Sequence, residues 1–186
     1  SLPLAILNYT KKTQYDRVWN DVTRQCRGLI YNVENLEVIA RPMEKFFNYG
    51  EHDIELDLEA LAVVTDKLDG SLGILYPGRC DSCEGTHGRK TAPGYHGCDQ
   101  VCPRCNGTQV LPAIATRGSF ESEQAIHANE ILKEKYASIP FNREWTYLFE
   151  IIYPENRIVV DYKGQDDLIF LGCVNNQSGV DDFAEQ

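Results

Sequence analysis

Apolar residues in this chain fall in short runs, most of them too short for helices. Residues 4–8, 28–33, 37–41, 61–67, 71–76, 110–116, 145–152, 157–162 and 168–175 are rich in Val, Ile, Leu, Tyr and Phe. Each run is bounded by Gly, Pro, Asn or charge, so each predicts a strand. One stretch has a different period. Ala125, Ala128, Ile131, Leu132 and Tyr136 recur at helical spacing, which predicts a helix over 119–136 with those residues on its core face. Ser119 or Ser122 can cap it, Glu121 and Glu123 suit its positive end, and Lys133 and Lys135 suit its negative end. A second helix is expected over 13–22. Strands outnumber helices and do not alternate with them regularly, so the expected class is α+β with largely antiparallel sheets.

Residues 77–112 break this pattern. The segment is rich in Gly, Cys and polar residues, and Tyr95, Val101, Val110 and Leu111 are its sizeable apolar side chains. Such a composition buries too little apolar surface to order itself. It holds two copies of Cys-x-x-Cys-x-Gly-Thr, at Cys80/Cys83 and Cys102/Cys105. The spacing fits a four-cysteine zinc site, with Cys98, His87 and His96 as alternative ligands. Zinc binding supplies on the order of 10 kcal/mol in such modules, enough to fold the segment. It joins two predicted strands, so it is expected at the tip of a hairpin. It reads either as a stabilised loop or as an RNA-contacting finger using Arg79, Arg89, Lys90, Arg104 and Tyr95. The first reading is favoured, because the segment is barely basic. Cys26 and Cys173 lie in strand-like runs and are expected to be small buried hydrophobes.

The chain of 186 residues is long enough to bury a real core as one domain. No apolar run reaches the length of a spanning helix, and nothing at the amino end resembles a signal peptide. The expected location is therefore cytoplasmic, with no membrane partner. A net charge of −10 argues against general coating of nucleic acid. A local basic site remains open, because Arg24, Arg27, Arg41, Lys45, Lys67 and Arg117 recur around a few short motifs.

The motif with the most chemistry is Lys67-Leu68-Asp69-Gly70-Ser71, at the end of an apolar run. A lysine amine can attack phosphorus, but at its ordinary pKa of about 10.4 only about one in a thousand is deprotonated at neutral pH. Partial burial or neighbouring cations would lower that barrier, and Gly70 would let backbone approach a nucleotide. Alone, Lys-x-Asp-Gly is common by chance. Four further segments accompany it: Cys26-Arg27-Gly28, Arg41-Pro42-Met43-Glu44-Lys45-Phe46-Phe47-Asn48, Arg117-Gly118-Ser119 running into Ser122-Glu123-Gln124-Ala125, and Phe149-Glu150 followed by Asn156-Arg157-Ile158-Val159.

With these segments, in this order, the chain resembles the bacteriophage RNA ligase 1 family from about Leu4 to Phe183, outside 77–112. The resemblance implies a nucleotidyltransferase fold, with the zinc-binding insertion of 77–112 set in a hairpin. It implies an ATP-dependent RNA ligase that joins RNA 5′-phosphate and 3′-hydroxyl ends (tRNA among the candidates) through a covalent lysyl-AMP. If the chain is phage-encoded, the location would be the host cytoplasm. By the same resemblance Lys67 carries AMP, and Asp69, Gly70 and Ser71 complete its motif, although Leu68 stands where the family often has Glu. Arg27 meets the nucleotide, Lys45 the triphosphate tail and Arg117 a phosphate. Glu150 lies near the ribose and magnesium. Phe46 and Phe149 read as adenine stackers or, more simply, as core. The family's later Glu-Gly-x-Val and Lys-x-Lys motifs do not occur before Gln186, so 1–186 reads as an adenylyltransferase domain incomplete at its carboxy end. Competing functions are a DNA ligase, a capping guanylyltransferase, or a noncatalytic zinc-stabilised RNA-binding or accessory protein.

Overall fold

A computed structural model describes residues 3–51, 57–62, 64–80, 105–106, 108 and 110–182. Among these, two antiparallel sheets carry the fold. The smaller has the order β1-β2-β3, from β1 (Leu4–Asn8), β2 (Arg27–Asn32) and β3 (Val38–Ala40). The larger has the order β5-β4-β6-β7-β8. Its strands are β4 (Ser71–Arg79), β5 (Val110–Thr116), β6 (Trp145–Ile152), β7 (Asp167–Asn175) and β8 (Asp181–Asp182). All its pairings are antiparallel, so the expected α+β class with antiparallel sheets is correct.

The larger sheet is covered on both faces. On one, Leu75, Ile114, Phe149, Ile151 and Leu168 pack against Ala128, Ile131 and Leu132 of helix α3 (Glu123–Lys135). On the other, Ile74, Ala115, Leu148 and Val174 meet Ile30 and Ala40 of the smaller sheet. Burial of both faces explains why β6 reads as a nearly continuous apolar run. Alternation along β6 then puts Glu150 on the same side as Leu148, towards the smaller sheet. The two sheets approach closely at Gly28, which has φ +97°; a Cβ there would lie 2.8 Å from Ile74 Cδ1 and 3.2 Å from Arg117 Cα. Buried Thr146 bridges them with hydrogen bonds, accepting from Arg41 N and donating to Asn176. At the β5 edge, Asn129 of α3 pairs with both backbone groups of Ile114, in place of a neighbouring strand.

Several expectations need correction. The long helix spans Glu123–Lys135 and starts at the Ser122 cap, whose hydroxyl accepts from Ala125 N. The second helix is two short ones, α1 (Lys11–Tyr15) and α2 (Asp21–Gln25). A capping box between Asn20 and Thr23 begins α2, so polar side chains take the amides that a continuous helix would have used. Residues 61–67 form no strand where described, and Leu61 and Val64 are exposed. Residues 157–162 form none either, because the amides of Val159 and Val160 go to a side chain described below. Cys26 and Cys173 are half-buried, not core residues, and Cys26 caps α2.

The hairpin is present: β4 and β5 pair from Gly73–Thr116 to Arg79–Val110. At its end Cys80 and Cys105 are buried together against Leu111. Thr108 folds back so that its N–H and hydroxyl both donate to Cys105 O. Cys83 and Cys102, with Cys98, His87 and His96, lie outside the described residues. Among the described residues no group of three His, Cys, Asp or Glu is placed to hold a metal. No helix among them is long and apolar enough to cross a membrane.

Candidate active site

The loop that enters β4 is held from two directions. Gly70 N donates to Glu150 Oε1 at 2.8 Å. A Cβ on Gly70 would sit 2.5 Å from Ile151 O, so glycine is needed here by the backbone of β6 itself, before any nucleotide is considered. From the other side, the Asp69 carboxylate accepts from Val159 N at 2.6 Å and Val160 N at 2.8 Å. Those two backbone donors hold the Asp69 carboxyl below its ordinary value. Asp69 N donates to Tyr162 OH, and Ser71 Oγ to Asn156 Oδ1, whose amide donates in turn to Ile151 O. Residues 156–162 are thus a strap fastened to the lysine motif. Asp69 takes the amides of Val159 and Val160, the segment joins no ladder, and Ile158, Val159 and Val160 stay exposed.

Lys67 itself is exposed, and its amine donates to Leu68 O at 3.4 Å. Burial, one of the two expected means of activation, is therefore absent. The charged groups coupled to Lys67 include the carboxylates of Asp69 and Glu150. Burial raises the Glu150 carboxyl above its ordinary value, the Gly70 N–H and the Lys67 charge pull it down, Asp69 pushes it up and Arg27 pulls it down. Lys67, Asp69, Glu150 and Arg27 thus share one electrostatic field.

Arg27 opens β2, beside the close approach at Gly28. Burial pushes its guanidinium below the ordinary value; Tyr9 and Glu150 oppose that and Arg117 adds to it. Its Nη1 is buried with no hydrogen-bond partner, and its Cζ lies 4.9 Å from the centre of the Phe46 ring. Phe46 is 59% exposed and Phe149 only 9%, so of the two phenylalanines just Phe46 is open to a ligand. Arg117 is exposed, donates to Tyr9 OH at 3.3 Å, and has its carbonyl fixed by Asn8 Nδ2. Lys45 donates to Phe46 O and lies over the rings of Phe47 and Trp19. No carboxylate among the described residues is ion-paired with Arg27, Lys45 or Arg117.

The structure thus brings Lys67, Asp69, Gly70, Ser71, Glu150, Arg27 and Arg117 together, and links Lys45 to Arg117 through aromatic rings. Sequence reasoning missed Tyr162, Tyr9 and Trp19. A short polar segment with isolated aromatics is the only trace the last two leave in the sequence. A buried guanidinium nitrogen with no partner fits an anion such as a phosphate oxygen. Glu150 and Asp69 fit magnesium in the way usual for that ion, through one or two carboxylates completed by substrate phosphates.

A family model described as RNA ligase matches residues 25–186. A provisionally named bifunctional polynucleotide kinase/RNA ligase of Autographa californica nuclear polyhedrosis virus is 30% identical over 187 aligned positions, covering 95% of this chain and 24% of that protein. A provisionally named RNA ligase of Thermovibrio ammonificans is 26% identical over 168 positions, covering 84% of this chain and 35% of that protein. The chain spans about a quarter and about a third of the length of these two relatives. It belongs to the RNA ligase family of the phage RNA ligase 1 type.

Proposed function

We propose that this RNA ligase family member has a nucleotidyltransferase fold and joins RNA ends by carrying AMP on Lys67. The observation that supports this best is the meeting of the Lys67 loop, Glu150 and the buried, unpartnered Arg27 nitrogen in one field. In the first step the Lys67 amine, once deprotonated, attacks the α-phosphorus of ATP. An N–P bond forms and the P–O bond to pyrophosphate breaks. Arg27 balances charge on the departing pyrophosphate, while Lys45 and Arg117 hold the triphosphate equally before and during the step. AMP then passes to an RNA 5′-phosphate, and a 3′-hydroxyl displaces it as the phosphodiester forms. Asp69 holds the loop against the strap, so the amine meets phosphorus from a fixed backbone. Magnesium, bound by Glu150 and the phosphates, would offset phosphate charge.

Intact-mass measurement after incubation with ATP and magnesium should show the gain of one AMP, and peptide mapping should place it on Lys67. Lys67→Arg should abolish the gain, since arginine stays protonated. AMP on another lysine would overturn the assignment.

The hairpin end fits a second, structural metal. Zinc held by Cys80, Cys83, Cys102 and Cys105 would account for two cysteines buried side by side at the end of β4 and before β5. One zinc per chain is expected by elemental analysis. Cys80→Ser combined with Cys105→Ser should lose it while circular dichroism of the sheets persists, since β4 and β5 are anchored by their own apolar residues. Full metal retention by that double variant would refute the site.

A further inference from the structure

Three aromatic rings form a continuous row between the two outer cations of the site. Tyr9 and Trp19 meet edge to face, with centroids 4.9 Å apart and planes at 85°. Trp19 and Phe47 do the same at 5.5 Å and 74°. At one end, Lys45 Nζ lies 4.2 Å from the Phe47 centroid and 5.8 Å from that of Trp19. At the other, Arg117 Cζ lies 5.5 Å from the Tyr9 centroid, and Arg117 Nη1 donates to Tyr9 OH. Trp19 is the middle ring, in contact with both neighbours.

The backbone under Trp19 is fixed on both sides. It lies between α1 and α2, its N–H donates to Arg17 O at 3.0 Å, and the next residue is the Asn20 of the capping box. Edge-to-face packing has a preferred geometry, so a ring held this way holds its neighbours. A π face also orients a cation without cancelling its charge, as a carboxylate would. Two cations tied to one rigid row keep their separation when nothing is bound. A polyphosphate chain, with negative charge on successive phosphorus centres, is the ligand such a pair suits.

We propose that Trp19 is a positioning residue for a polyphosphate chain, spacing Lys45 and Arg117 through Phe47 and Tyr9. The inference rests on the proposed function for the identity of the ligand as the triphosphate of ATP. It assigns Trp19 to affinity for the phosphates and not to the rate of the step at Lys67.

The test uses magnesium tripolyphosphate, which lacks an adenosine and cannot transfer AMP. Calorimetric binding should weaken about tenfold in Trp19→Leu, which keeps an apolar side chain without a ring, and by less than about threefold in Trp19→Phe. In AMP transfer, half-saturating ATP should rise by the same factor in Trp19→Leu, while the rate at saturating ATP changes by less than about twofold. If Trp19→Leu does not fold, the decision passes to fluorescence. With Trp145→Phe as background, Trp19 is the remaining tryptophan. Its emission should then shift as tripolyphosphate binds. Wild-type affinity in Trp19→Leu, equal losses in the Leu and Phe variants, an unchanged emission, or no binding by the wild type would each overturn the proposal. Tripolyphosphate binding that depends on Trp19, in a protein that takes up no AMP, would leave this inference standing and defeat the catalytic reading instead.

Discussion

The two halves of the site hold charge by different means. On the β4–β6 side the charges around Lys67 are carboxylates, and backbone amides hold them: Gly70 N on Glu150, and Val159 N and Val160 N on Asp69. On the β2 side the charges are cations, and aromatic faces hold them: Phe46 for Arg27, Phe47 and Trp19 for Lys45, and Tyr9 for Arg117. Among the described residues none of these five groups is ion-paired, although Arg157 and Asp161 of the strap pair with each other at 3.3 Å. Just outside the site, Arg24 and Glu44 pair as well, at 3.3 Å. The difference teaches how a site can be prearranged without being neutralised. Amides and π faces orient charged groups yet leave their charge for a ligand, whereas a salt bridge would satisfy the charge internally.

The comparison breaks most sharply at Arg27. Arg27→Ala removes the buried cation, and single-turnover AMP transfer should fall by about a hundredfold or more. Arg27→Lys should recover little, because an ammonium lacks both the planar stacking of a guanidinium on Phe46 and its fork geometry for phosphate binding. Recovery to near wild type would mean that point charge alone matters on this half.

A smaller effect is expected at Asp69. Asp69→Ala frees the amides of Val159 and Val160, and their hydrogen exchange should quicken by tenfold or more, while exchange in β6 stays unchanged. The carboxyl is held below its ordinary value, so its contribution is complete above the usual aspartate range. That contribution is lost as pH falls through the lowered value. Wild-type protection of 159–160 should therefore persist at pH 5 and fade only in stronger acid. Protection that already fades at pH 6 would point to a different anchor for the strap.

The smallest effect is at Glu150 and has the opposite sign. Burial raises this carboxyl, so the folded state keeps its proton to higher pH than the unfolded chain does, and stability falls as pH rises through that window. Glu150→Gln keeps an acceptor for Gly70 N–H and removes the charge. The melting temperature at pH 7 should rise by about 2–4 °C, and the gain should vanish below the ordinary glutamate range. AMP transfer should fall in the same variant. A lowered melting temperature would mean that attraction to Lys67 and Arg27 outweighs the cost of burial.

Most of the regular structure was legible from the chain. β1, β6 and the α3 core face follow directly from short β-branched runs and from one helical period, because local propensity and burial agree there. β8 left no trace, since two aspartates carry no strand signal and pair only because β7 offers an edge. The two failed strands, 61–67 and 157–162, flank the lysine motif. Their apolar residues look like strand residues, but in 157–162 the amides of Val159 and Val160 go to Asp69, and in 61–67 Leu61 and Val64 stay exposed.

By itself the sequence determined which chemical groups are available: the Lys67 motif, the cations around it, the paired cysteines and membership of the RNA ligase family. Those are properties of residue type and order along the chain. Only the tertiary structure decided how each charge is held. The need for Gly70 comes from Ile151 O, the strap from Asp69, and the row from Lys45 to Arg117 from rings as far apart in sequence as Tyr9 and Phe47. Contacts of that kind join positions tens of residues apart, and no local pattern of hydrophobic and polar residues encodes which side chains will meet across two packed sheets.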